Sequence, residues 1–132
     1  MIELNLSREA IDMNDLAFPD SSINTVGVRL DFPETDAKTV KEAFERVIEK
    51  TVILHLKLVE KDNVRYLEDT GHARSEIVLD RTITVEEADA EWEKVTTTPL
   101  PEASWNVKIY TLKSGGCSAF FLMHHLLVDG FT

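Results

Sequence analysis

Apolar and polar positions alternate most clearly from Ile23 to Leu30. Asn24, Val26, Val28 and Leu30 fall on one face of a strand, and Ile23, Thr25, Gly27 and Arg29 on the other. Phe32-Pro33-Glu34-Thr35-Asp36 ends that strand and starts a helix, with Asp36 or Thr35 as its N-cap. Over Asp36 to Lys50 the apolar residues Val40, Phe44, Val47 and Ile48 recur at helical spacing. Lys38, Lys41, Glu42, Glu45, Arg46 and Glu49 fill the opposite side, which predicts a helix lying on a sheet. Val52 to Val59 is rich in branched aliphatic residues and predicts a strand. Lys61-Asp62-Asn63 turns it into a hairpin with Val64 to Leu67.

Glu76 to Asp80 predicts a further short strand. Thr84, with Glu87 three residues on, is a capping box. Behind it Val85, Ala88, Trp92 and Val95 form the apolar stripe of a second helix. Thr96 to Ala103 is a loop carrying Pro99 and Pro101. Ser104 to Leu112 predicts a strand, and Ser114-Gly115-Gly116 turns the chain back into Cys117 to Met123. That last run is apolar on both faces apart from Ser118, the pattern of a central strand covered on both sides. Residues 1–22 carry scattered apolar positions, among them Leu4, Leu6, Ile11, Met13 and Leu16, and predict no element before a turn at Pro19 to Ser22.

This order predicts an α+β fold, a two-layer α/β arrangement of a mixed sheet with helices on one face. The 132 residues suit one domain or one lobe of a larger one, and 43% hydrophobic residues suffice for a core. A formal net charge of -10 argues against nucleic-acid and anionic-membrane partners. The longest apolar run, Ala119 to Met123, is too short to span a bilayer, and the N-terminus lacks the pattern of a signal peptide. Cys117 is the only cysteine, so an internal disulfide and a cysteine zinc site are excluded. These features fit a cytoplasmic protein. At the head of an apolar strand, Cys117 reads as packing rather than as an acyl carrier. Trp92 and Trp105 read as core residues, His72 as a loop residue without a role, and Gly115-Gly116 as a hairpin turn.

The chemistry concentrates where the apolar strand runs into His124-His125-Leu126-Leu127-Val128-Asp129-Gly130. Adjacent strand residues point to opposite faces, so one histidine faces a pocket while the other packs. Gly130 permits a tight turn that returns Asp129 toward the histidines. A neutral imidazole suits general-base work near neutrality. The residues alone leave three readings open: a catalytic base, a satisfied buried network, or half of a metal site. The last is the weakest, because adjacent strand histidines diverge and no further ligand cluster accompanies them.

The His-His-x-x-x-Asp-Gly pattern after an apolar strand resembles the signature of the superfamily of chloramphenicol acetyltransferases, peptide-synthetase condensation domains and alcohol acyltransferases. The helix from Asp36 to Lys50, the loop Thr98-Pro99-Leu100-Pro101 and the strand Trp105 to Leu112 precede it in the family's order. The resemblance implies the N-terminal lobe of a chloramphenicol acetyltransferase-like fold. It implies transfer of an acyl group from a thioester, on coenzyme A or on a phosphopantetheine carrier protein, to an amine or hydroxyl of a small-molecule or carrier-bound acceptor. No tightly bound cofactor and no metal are implied. His125 would be catalytic. His124, Asp129 and Gly130 would be architectural, with Asp129 held in a salt bridge.

Two departures stand out. Where many condensation domains carry an arginine that pairs with the motif aspartate, this chain has His55, with Lys57 two positions on. Either is expected to replace it beside Asp129. Superfamily members are also much longer. Residues 1–132 therefore read as the N-terminal part of such a domain, ending just after the motif, with the C-terminal lobe absent and its place taken by further sequence or by self-association. The isolated polypeptide is expected to be inactive. Two other functions compete with condensation on carrier proteins: a free-standing coenzyme A-dependent acetyltransferase, and a non-catalytic lobe serving as a structural or interaction module.

Overall fold

A computed structural model describes residues 2–127 apart from 74 and 102, with residue 2 described by its backbone. The elements run β1 (Ile2–Glu3), α1 (Leu6–Ala17), β2 (Thr25–Phe32), α2 (Ala37–Glu49), a 3-10 turn (Val52–His55), β3 (Leu56–Lys61), β4 (Val64–Asp69), β5 (Ile77–Ile83), α3 (Val85–Thr96), β6 (Trp105–Leu112) and β7 (Cys117–His124). The strands form two sheets. One has the order β1-β4-β3, and the other β2-β7-β6-β5.

β7 is central, antiparallel to β2 on one side and to β6 on the other. β5 and β6 are parallel and joined through α3, so the four-stranded sheet is mixed. The α+β mixed sheet expected from the element order is therefore present. The placing of the helices on one face is corrected. On β7, Cys117, Ala119, Phe121 and Met123 pack in the core beneath α2, with Val40 and Ile48. Phe120, on the other face of the strand, packs with Tyr110, Ala88, Trp92 and Val95 beneath α3. The reason lies in β7 itself. A strand apolar on both faces has to be covered twice.

Local signals hold at several ends. The Asp36 side chain accepts from Thr39 N at 2.8 Å and caps α2. Thr84 and Glu87 form a reciprocal capping box on α3. Gly115 and Gly116 both take positive φ in the β6–β7 turn, and a Cβ on Gly116 would meet Phe32 O at 2.0 Å. Elsewhere the boundaries move. Val52 to His55 forms a 3-10 turn rather than a strand, and the hairpin partners are Leu56–Lys61 and Val64–Asp69. Val47, expected on the buried stripe of α2, is 60% exposed.

α1 is the largest departure. Its side chains at 8, 12 and 15 share a helical face by spacing, and these polar groups face the protein. Asp12 is buried and pairs with Arg65 of β4 at 2.7 Å. Ile11 packs against the core, but the apolar residues Leu6, Met13 and Leu16 are 84%, 69% and 63% exposed. The helix is amphipathic in the inverted sense.

Candidate active site

The two histidines lie where β7 leaves its sheet. The ladder gives each backbone amide one last partner. His124 N donates to Ser104 O at 2.8 Å, and His125 N donates to Asn24 O at 2.7 Å. The chain then turns, with Leu127 N donating to His124 O at 3.0 Å. Leu126 and Leu127 are fully buried and join the core of Leu4, Leu54, Leu56 and Leu67. These two apolar side chains anchor the turn that follows the histidine pair. Arg8 of α1 grips it from outside, donating through Nε to Leu126 O at 3.0 Å and through a second guanidinium nitrogen to Leu127 O at 3.5 Å.

His124 takes the packed position and is 1% exposed. Its Nδ1 accepts from Leu126 N at 3.0 Å, so that nitrogen carries a lone pair. The proton therefore sits on Nε2 and is donated to Asp15 Oδ2. The imidazole is neutral. Burial pushes it below the usual histidine range, and Asp15 pulls in the other direction. Geometry and burial agree on the neutral form, so the contact is a hydrogen bond to a carboxylate rather than an ion pair. Asp15 accepts a second bond at Oδ1, from Asn24 Nδ2 at 2.7 Å.

His125 is half-buried, and its Nδ1 has no hydrogen-bond partner among the described residues. Asp129 and Gly130 lie outside the described residues. His55 is buried, with its Nε2 at 2.9 Å from Ile48 O. Lys57 lies on β3 with its Nζ 3.6 Å from Glu68. The structure thus brings His124 and His125 together and gives both candidate partners of Asp129 contacts of their own.

A cleft of about 230 Å³ opens beside Asp15, lined by Leu16, Pro19, Pro99, Leu100 and Pro101 among others. The proline-bearing loop singled out in the sequence is therefore next to the histidine pair's support. A larger cavity of about 550 Å³ lies elsewhere, between α2, His55, His72 and Trp105. Cys117 is buried and burial pushes its thiol up, which leaves it protonated and unreactive at neutral pH. Among the described residues no group of three or more His, Cys, Asp and Glu could hold a metal ion, and no helix is long and apolar enough to cross a membrane.

No family model and no curated protein matches the chain. Solved structures do. The starter condensation domain of rhizomide synthetase superposes with a TM-score of 0.82 at 15% identity, over 98% of this chain and 34% of that one. The chain has a condensation-domain fold. The first condensation domain of the calcium-dependent antibiotic synthetase, in complex with a substrate analogue, matches at TM-score 0.78 and 16% identity, over 98% of this chain and 35% of that one. A substituted rhizomide starter condensation domain in complex with C8-CoA matches at TM-score 0.77 and 16% identity, over 95% of this chain and 31% of that one. The chain spans about a third of the length of these condensation domains.

Asp15, Asn24 and Arg8 went unsingled in the sequence, although all three support the motif. A signal existed. Arg8, Asp12 and Asp15 stand at helical spacing as a polar stripe, and each finds its partner on another element. Residues 1–22 nonetheless predicted no element, because the partners of that stripe lie far along the chain.

Proposed function

We propose that this chain contributes the histidine-bearing part of an acyl-transfer site. The acyl group would pass from a thioester to an amine or hydroxyl. The observation that carries this reading is the division of labour at the end of β7. His124 is locked in a buried network, while His125 beside it is half-buried with an unengaged Nδ1 among the described residues. The condensation-domain fold around that pair supports it.

In this reading neutral His125 accepts the proton of the acceptor N–H or O–H as its nitrogen or oxygen attacks the thioester carbonyl. The new C–N or C–O bond forms first. The tetrahedral adduct then collapses, the C–S bond breaks, and the proton held by His125 leaves with the sulfur as a thiol. No other reactant is needed. Asp129 and Gly130 keep architectural roles, with His55 or Lys57 as the side chain assigned to Asp129. The donor is a thioester on coenzyme A or on a phosphopantetheine carrier. The coenzyme A complex of a similar fold gives the free-thioester reading specific support.

The test is transfer by the natural protein in which this sequence occurs. Its initial rates with an acyl-coenzyme A and with an acyl-carrier protein identify the donor. His125→Ala is expected to lower kcat by roughly 10²- to 10⁴-fold. Unchanged transfer in that variant would remove His125 from the chemistry and favour a scaffolding role.

A further inference from the structure

The residues around His124 form a closed circuit that the acyl-transfer reading does not by itself require. Leu126 N donates to His124 Nδ1 at 3.0 Å. His124 Nε2 donates to Asp15 Oδ2. Asn24 Nδ2 donates to Asp15 Oδ1 at 2.7 Å. The Asn24 carbonyl then accepts from His125 N at 2.7 Å. The circuit thus begins one residue after His125 and ends on the backbone of His125 itself. Its members come from α1, from the residue before β2, and from the end of β7.

We propose that Asp15 and Asn24 are positioning residues that fix the orientation of His125 by setting the tautomer of His124. The inference rests on the reading of His125 as the acting base. The polarity of the circuit allows one proton arrangement only. If the His124 proton moved to Nδ1, it would face the Leu126 N–H, donor against donor. Nε2 would then present a lone pair to a carboxylate, acceptor against acceptor. Both errors would be buried, and each would leave a polar group without its partner. Asp15 therefore selects the Nε2–H form, and that form accepts the Leu126 amide and holds the turn. Asn24 serves twice. Its side chain orients the carboxylate, and its carbonyl pins the amide of His125.

Asp15 is itself held. α1 is tied to the three-stranded sheet by Asp12 and Arg65 at 2.7 Å, and to the turn by Arg8 on the Leu126 and Leu127 carbonyls. The inward polar stripe of α1 thus carries a rigid reference to the motif. A helix packed by apolar contacts alone would leave Nε2 without its acceptor, and the Leu126 amide alone would then bias the tautomer.

Two readouts on the natural protein test this. The first is the tautomer of His124 by nitrogen-15 NMR of histidine-labelled protein, with the signal assigned by its loss in His124→Gln. The Nε2–H form is expected in the natural sequence and a mixture of forms in Asp15→Leu. The second is steady-state acyl transfer. Asp15→Leu is expected to lower kcat about 10- to 100-fold with KM for the thioester little changed, because a misplaced base affects the chemical step. Asp15→Asn retains an oxygen that can accept from Nε2 and is expected to recover the tautomer and most of kcat. Asn24→Ala keeps the carbonyl bond to His125, and is expected to lower kcat less than Asp15→Leu while the protein stays folded. A protonated or Nδ1–H His124 in the natural sequence would overturn the proposal. So would Asp15→Leu or Asn24→Ala with kcat and His125 signals unchanged. The NMR readout needs no turnover. A natural protein with the Nε2–H form but no transfer activity would therefore sink the acyl-transfer reading and leave the tautomer selection by Asp15 standing.

Discussion

His124 gains its stability from one protonation state and loses it in the other. With an amide donating to Nδ1, a proton on that nitrogen would break a buried bond. The folded protein therefore takes up this proton less readily than the unfolded chain, and the folded pKa lies below the ordinary histidine value. The direction of the pH effect follows. Well above about pH 6.5 both states are neutral at this residue and it contributes no slope. As the pH falls from about 6.5 toward the folded value, the unfolded state binds the proton first and stability drops. Denaturant midpoints measured from about pH 7.5 to about pH 5.5 are expected to fall. The fall should be smaller in His124→Gln, which has no proton to gain. An equal fall in both would assign the slope to other groups.

α3 shows how an element is seated by a residue that has no side chain. Gly27 of β2 lies beneath Trp92, and a Cβ there would stand 2.7 Å from the indole and 2.9 Å from Leu122. The indole meets Phe120 edge-on at 5.1 Å, so it cannot move away without leaving that contact. Gly27→Val is expected to cost about 1–3 kcal/mol by overpacking, read as a lowered denaturant midpoint. Trp92→Leu in the same chain should recover part of it. An unchanged midpoint in Gly27→Val would show that α3 lifts freely. The capping box at Thr84 and the stripe of Ala88, Trp92 and Val95 are local facts and were legible in the sequence. The role of Gly27 was not, because nothing near it in the chain names the tryptophan that crosses it.

The molecule as a whole leaves an apolar surface on α1. Leu6, Met13 and Leu16 are exposed, and Phe18 and Ile23 are exposed close by in sequence. Polar groups occupy the inner face, so no rotation of the helix could bury both. In the condensation domains of similar fold this length of chain accounts for about a third of the structure. The polypeptide of residues 1–132 is accordingly expected to self-associate. Light scattering should give a concentration-dependent mass, and Met13→Glu with Leu16→Glu should shift it toward the monomer. A monomer at all concentrations in the unsubstituted chain would show that the surface is tolerated as it stands.

Local chemistry was sufficient for much of this protein. Helix caps, apolar stripes, the glycine turn and the doubly apolar strand Cys117 to Met123 all act between near neighbours, and the sequence carried them. The pairing of His124 with His125 at the end of that strand was equally plain. Three things needed the tertiary structure. A strand apolar on both faces demands two covers, but only packing assigned α2 to one side and α3 to the other. α1 was hidden because its polar face turns inward, against the usual sense of amphipathicity, and its partners Arg65, Leu126 and His124 lie far along the chain. The tautomer of His124 was undecided for the same reason. A proton's place on an imidazole depends on what stands at each nitrogen, and one of those groups, Asp15, is brought there only by the fold.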